Sequence, residues 1–142
     1  MSISAEQIGK LVDDLYAATG SGDFERAATM LTDDFFITEA DGLPMAGVYR
    51  GKNALRDLFV HVMGIVDVAS LDRHATMVGD GMAVVHLSFV FADPALAPAE
   101  LCEMFRFRGS QVCEIRPFYF DPATMIAAVA AKAKGAPANS EA

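Results

Sequence analysis

The chain has 142 residues, 53% of them hydrophobic, and a formal charge of −8, a length that supplies one well-filled core and not two. An acidic chain without clustered Lys and Arg does not displace counterions from phosphate backbones, which excludes nucleic acid as a partner. The start, Met1-Ser2-Ile3-Ser4-Ala5-Glu6, lacks the regions of a secretory signal, and the apolar runs fall short of the ~20 residues a spanning helix needs. A cytoplasmic protein with no membrane contact is expected.

Ser4 and Gln7 form a capping-box signature, after which Ile8, Leu11, Val12, Leu15 and Tyr16 recur at helical spacing up to Gly20. Ser21-Gly22-Asp23 ends that helix and caps a short second one with Phe24, Ala27, Ala28 and Leu31 inward. A strand over 33–39 stops at the turn residues Asp41-Gly42, and a second runs from about Met45 to Tyr49. Arg50-Gly51 then leads into a third helix with Ala54, Leu55, Leu58, Phe59, Val62 and Met63 as its apolar stripe.

From Ala69 the period becomes two, with strands over 70–78, 82–92, 100–108 and 111–120 joined by short turns as an antiparallel meander. The last hairpin is expected to turn on Gly109-Ser110-Gln111, pairing Phe107 with Cys113 and Glu103 with Pro117. Pro117 has no N–H for a ladder, so a bulge is expected there. Asp121-Pro122 opens an Ala-rich helix to about Lys134, and 135–142 is expected to be a disordered tail. Helices grouped first and strands after give an α+β domain over 1–134. Its curved, cone-shaped six-stranded mixed sheet wraps over three helices, with a fourth helix at the C-terminus.

Strand period places Phe35, Ile37 and Glu39 on one face, and Glu103, Phe105 and Phe107 on another. A carboxylate on an apolar face must be paired, protonated or used. Burial in mid-strand should raise the Glu103 pKa and keep it neutral, while Glu39, at a strand end, should stay ionised. His61, His74 and His86 fall on three different elements, and neither they nor Cys102 and Cys113 have ligand spacing. No metal and no other cofactor is expected, and the cysteines, on opposite sheet faces, should be free thiols.

Gly22-Asp23-Phe24, Leu31-Thr32-Asp33-Asp34-Phe35, Tyr49-Arg50-Gly51-Lys52-Asn53-Ala54-Leu55, Phe105-Arg106-Phe107-Arg108-Gly109 and Ile115-Arg116-Pro117-Phe118-Tyr119-Phe120-Asp121 occur in this order and spacing. Together they resemble the nuclear transport factor 2-like superfamily, in its SnoaL-like and ketosteroid isomerase-like branch. The resemblance implies a cone, usually a homodimer, with a pocket between helices and concave sheet. Glu39 falls where ketosteroid isomerase keeps its proton-shuttling aspartate, and Glu103 where it keeps its protonated oxyanion-hole aspartate. The family's oxyanion-hole tyrosine position is Leu15 here, with Tyr16 one residue along. By the same comparison His86, Val84, Ser88, Ile115 and Tyr119 face inward. Glu39, Glu103 and His86 are then the candidate catalytic residues, with Tyr16, Leu15, Phe59, Met63, Val84, Ser88, Phe105, Ile115 and Tyr119 around a small apolar ligand.

With His86 inward, Ala83, Val85, Leu87, Phe89 and Phe91 would form an apolar outer face, which an antiparallel sheet with solvent on one side does not present. A second copy is expected to cover it around Val85, Leu87, Phe89, Met104 and Phe118. The function expected is a cofactor-independent isomerase or polyketide-cyclase type of proton transfer next to a carbonyl. Alternatives are a module that binds a small apolar ligand or a protein partner, and a hydrolase or dehydratase using the same residues.

Overall fold

The structure, a computed structural model, describes residues 3–140, with side chains for 3–135. The elements run α1 (Ala5–Gly20), α2 (Phe24–Thr29), β1 (Leu31–Glu39), β2 (Gly47–Arg50), α3 (Ala54–Ile65), β3 (Val68–Gly79), β4 (Met82–Phe91), β5 (Ala99–Arg108), β6 (Gln111–Tyr119) and α4 (Ala123–Ser140). At the start of α1, Gln7 N–H donates to Ser4 Oγ (3.2 Å) and Ser4 N–H to Gln7 Oε1 (2.9 Å), which satisfies two otherwise orphaned donors. Ile8, Val12, Leu15 and Ala18 form its buried stripe.

The strands lie in the order β2-β1-β6-β5-β4-β3, antiparallel throughout except for β1 and β6. A parallel pair cannot be joined by a tight turn, and here the intervening chain supplies the crossover. The six-stranded sheet stays open and curves, with register shifts between Arg73 and Ala75, between Arg106 and Phe107, and between Leu31 and Phe36. Such bulges bend and twist a strand locally. The β3–β4 hairpin turns on Asp80 (φ 50°) and Gly81 (φ 73°), the positive angles that a two-residue type I′ turn requires. On the concave face α1 packs against β3 and β4, α3 against β1 and β2, and α4 against α3. Phe35, Ile37, Val85, Leu87, Leu101 and Phe105 are at most 2% exposed and fill that space. The result is the expected α+β cone with a C-terminal helix.

Three expectations are corrected. The first concerns β4, whose inward face is Ala83, Val85, Leu87 and Phe91, all buried. Val85 stands opposite Glu103 and Leu87 opposite Leu101, whereas His86 stands opposite Cys102. Directly opposed residues share a sheet face, so Glu103 and His86 point in opposite directions. The expected dimer surface therefore fails at Val85 and Leu87, which are core residues; Met104 and Phe118 do lie on the convex face, opposite Arg116 and Cys102 respectively.

The second is the last hairpin. Glu103 does pair with Pro117, but Phe107 pairs with Val112 and Arg108 with Gln111 around a two-residue turn at Gly109-Ser110. Cys113 is the extra residue of a bulge, which restores Phe105 and Ile115 to one face. Pro117 needs no bulge, because the β1–β6 pairing ends at Ile37 and Ile115, just before the proline whose missing N–H would interrupt it.

The third is the tail. α4 runs to Ser140, so Gly135–Ser140 continues the Ala- and Lys-rich segment as helix; Glu141 and Ala142 lie outside the described residues. Cys102 and Cys113 are both free and partly buried.

Candidate active site

β1 carries Glu39 inward behind Phe35 and Ile37, since the alternation persists to the last residue of the strand. Its neighbour across the sheet is Gly47, which offers no side chain. Leu43 and Met45, in the connection to β2, are buried as well, so the strand end is covered rather than solvated. Glu39 is 4% exposed, and its Oε1 is buried with no hydrogen-bond partner.

β5 carries Glu103 to the same face, between Leu101 and Phe105, with Val85 and Pro117 on either side. From α1, Tyr16 donates its phenolic O–H to Glu103 Oε1. The Tyr16 ring meets Phe105 edge-on at 5.8 Å, and the Arg73 guanidinium lies 4.8 Å from its centroid. Arg73 is itself held by Asp13 at 2.8 Å. Tyr16 reaches Glu103 because its long side chain spans from the flank of the buried α1 stripe, while Leu15 is core.

The electrostatics follow from dehydration. Burial, reinforced by the charge of Glu103, pushes the Glu39 carboxyl up to about 8. Burial raises Glu103 as well, but the Tyr16 hydrogen bond works against it by stabilising the charged form. Glu103 keeps more accessible surface than Glu39 yet has more protein packed around it. Packed protein, by displacing the bulk of the hydration shell, is what raises its carboxyl. The Tyr119 hydroxyl is pushed well above the ordinary phenol range by burial and then by both acids. Tyr16 shifts upward through burial and Glu103, with Arg73 opposing.

Two like charges in one dry site cannot both form cheaply, so the carboxyls titrate as a pair. Of the two, the carboxyl that accepts the Tyr16 hydrogen bond is the better place for a charge, and Glu39, without a donor, is the poorer one. The expected rise of the Glu103 pKa holds, whereas Glu39, expected to stay ionised, is raised as well. The covered end of β1 is the physical cause.

The remaining candidates divide. Phe105 and Ile115 are buried on the concave face and Tyr119 is partly buried there. Phe59 is exposed, its ring tilted against Phe24 at 5.2 Å, and Met63 is partly buried where α3 meets α4. His86, Val84 and Ser88 lie on the convex face. There His86 Nε2 meets Glu100 Oε2 at 2.6 Å and His74 Nε2 meets Ser88 Oγ at 2.9 Å. Arg73 is the residue that sequence reading missed, although simple alternation from the outward Asp72 would have turned it inward. Among the described residues no three His, Cys, Asp or Glu side chains are grouped to hold a metal ion, and no helix is long and apolar enough to cross a membrane.

A family model described as the SnoaL-like domain matches residues 12–115. No curated protein matches the chain. Among solved structures, an NTF2-like protein from Burkholderia xenovorans superposes with a TM-score of 0.74 at 20% identity, over 90% of this chain and 99% of that one. TerC co-crystallised with polyporic acid gives 0.71 at 12%, over 87% and 98%. A candidate polyketide cyclase from Sinorhizobium meliloti gives 0.65 at 12%, over 82% and 100%. At these identities the structures establish a shared fold, and the family model covers most of the chain: this protein belongs to the SnoaL-like family.

Proposed function

We propose that the protein catalyses proton transfer next to the carbonyl of a small, largely apolar compound, as an isomerase or a polyketide-cyclase type of enzyme. The observation that carries this reading is the pair Glu39 and Glu103 on one concave face, the first with an unpartnered buried oxygen and the second bonded to Tyr16. Glu103, as the carboxylate of the pair, takes the proton from the carbon beside the carbonyl. Glu39, as the acid, donates a hydrogen bond to the oxygen on which negative charge develops. Tyr16 holds Glu103 in position and Arg73 holds Tyr16. The concave face is apolar around them, which strengthens both interactions. One fold relative is named a candidate polyketide cyclase, which agrees with this class of chemistry.

The test is solvent exchange. Incubated in D2O with 2-tetralone, the protein should accelerate deuteration of the ketone's α-carbon, followed by proton NMR, and Glu103→Gln should slow it by about 10²–10⁴-fold. Normal binding of the ketone without any acceleration would instead support the ligand-binding module.

A further inference from the structure

We propose that Tyr119 is a further catalytic residue, its phenolic hydroxyl donating a hydrogen bond to the substrate oxygen alongside Glu39. The reaction in which it acts rests on the proton-transfer reading above, but the donor role follows from placement and is open to test with a ligand that does not react.

β6 lies between β1 and β5 in the sheet, so Tyr119 comes from the strand that separates the two acids. Leu101 stands opposite Tyr119 and Glu103 opposite Pro117, and opposed residues share a face. Leu101 is buried on the concave face, which puts Tyr119 there as well, one diagonal step of about 7–8 Å from Glu103. Ile37 pairs with Ile115 between β1 and β6, and the two-residue period carries that shared face on to Glu39 and Tyr119. The Phe120 N–H donates to the Glu100 carbonyl at 3.0 Å, which keeps this end of β6 on the sheet.

The residue chosen for this position runs against the hydrophobic pattern. In Phe118-Tyr119-Phe120 the two phenylalanines are 53% and 83% exposed, and the tyrosine is the one packed against the core. An aromatic wall alone calls for the reverse order, because a phenol turned inward loses water from its hydroxyl. Of the three tyrosines, Tyr16 donates to Glu103 and Tyr49 to the Met45 carbonyl at 2.8 Å. Tyr119 feels the charges of both acids but bonds to neither, and its hydroxyl has no partner among the described residues. Burial and the two acids keep the proton on that oxygen, so the donor is present at neutral pH.

A carbonyl oxygen has two lone pairs, and so accepts two hydrogen bonds. Glu39 on β1 supplies one donor and Tyr119 on β6 the second. When Glu103 takes the α-proton, the C–H electron pair becomes part of a C=C bond and the carbonyl π pair moves onto oxygen. Tyr119 keeps its proton throughout, and return of a proton from Glu103 to carbon restores the ketone.

2-Naphthol, a planar enol on the carbon frame of 2-tetralone, presents this oxygen without reacting, and naphthalene lacks it. The chain has no tryptophan, so the emission of either ligand reports its binding directly. The parent should bind 2-naphthol more tightly than naphthalene. Tyr119→Phe keeps the ring and, with the amide spectrum of the folded parent, should weaken 2-naphthol about tenfold and leave naphthalene unchanged. Its exchange of 2-tetralone should fall about 10²-fold in kcat with KM near the parent value. Weaker 2-naphthol binding in the variant, with no exchange by the parent, would sustain Tyr119 as the donor while ending the proton-transfer reading. Equal losses for the two ligands, or undiminished exchange in folded Tyr119→Phe, would overturn the proposal. So would a parent that binds 2-naphthol no more tightly than naphthalene, a comparison that needs no variant.

Discussion

The Tyr16 hydroxyl on α1 is hydrogen-bonded to the Glu103 carboxyl on β5, two residues 87 positions apart in the chain. The bond ties the helical layer to the sheet and favours charge on Glu103 over Glu39, whose buried Oε1 has no partner.

Tyr16→Phe removes the donor while leaving the ring against Phe105. Glu103 then loses the one interaction that lowers its pKa, so its titration should move to higher pH, and folding should weaken by about 1–3 kcal/mol. Carbon-detected NMR titration of the glutamate side-chain carboxyls, with a denaturation curve on the same variant, measures both. An unmoved Glu103 titration would show that the bond does not set its charge.

Stability should fall as pH rises. Glu39 moves from 4.5 to about 8 on folding, so between those values the folded state binds the proton that the unfolded state has released. The stabilisation is complete below about pH 4.5 and is lost progressively up to about pH 8, at no more than ~1.4 kcal/mol per pH unit from this group. Glu103, shifted in the same direction, adds to the slope. Urea denaturation at pH 5, 6, 7 and 8 should show the decline, and Glu39→Gln should flatten it and be more stable than the parent at pH 8.

Activity should follow a bell. Glu39 acts protonated, so exchange of 2-tetralone should decline as pH rises through about 8, and Glu103 acts ionised, so it should also decline on the acid side. Glu39→Gln keeps an N–H donor but cannot titrate, so it should lose the alkaline limb. A parent rate that instead climbs through pH 8 would make Glu39 the base.

The two faces of β4 should respond in opposite ways. Leu87→Ala empties core volume opposite Leu101 and should cost about 2–5 kcal/mol. His86→Ala, on the convex face with Glu100 as its partner, should cost under about 1 kcal/mol and leave proton exchange unchanged. A large loss of exchange in folded His86→Ala would return His86 to the site.

The capping box at Ser4 and Gln7, the change of period near Ala69 and the turn residues at Asp80-Gly81 are local signals, and each determined its element from nearby residues alone. So did the inward facing of Glu39 with Ile37 and of Glu103 with Phe105, because alternation along one strand needs no partner. What only the tertiary structure decided depends on contacts between distant segments. β4 is apolar on both sides, so its phase was fixed by Val85 lying opposite Glu103 and not by its own pattern. The bulge at Cys113 depended on how β5 and β6 pair. Whether Tyr16 could stand in beside Leu15 depended on where α1 crosses the sheet. The charge on Glu39 was the least legible property, since a pKa is set by what surrounds a group in space, and the residues that cover that strand end come from the connection to β2.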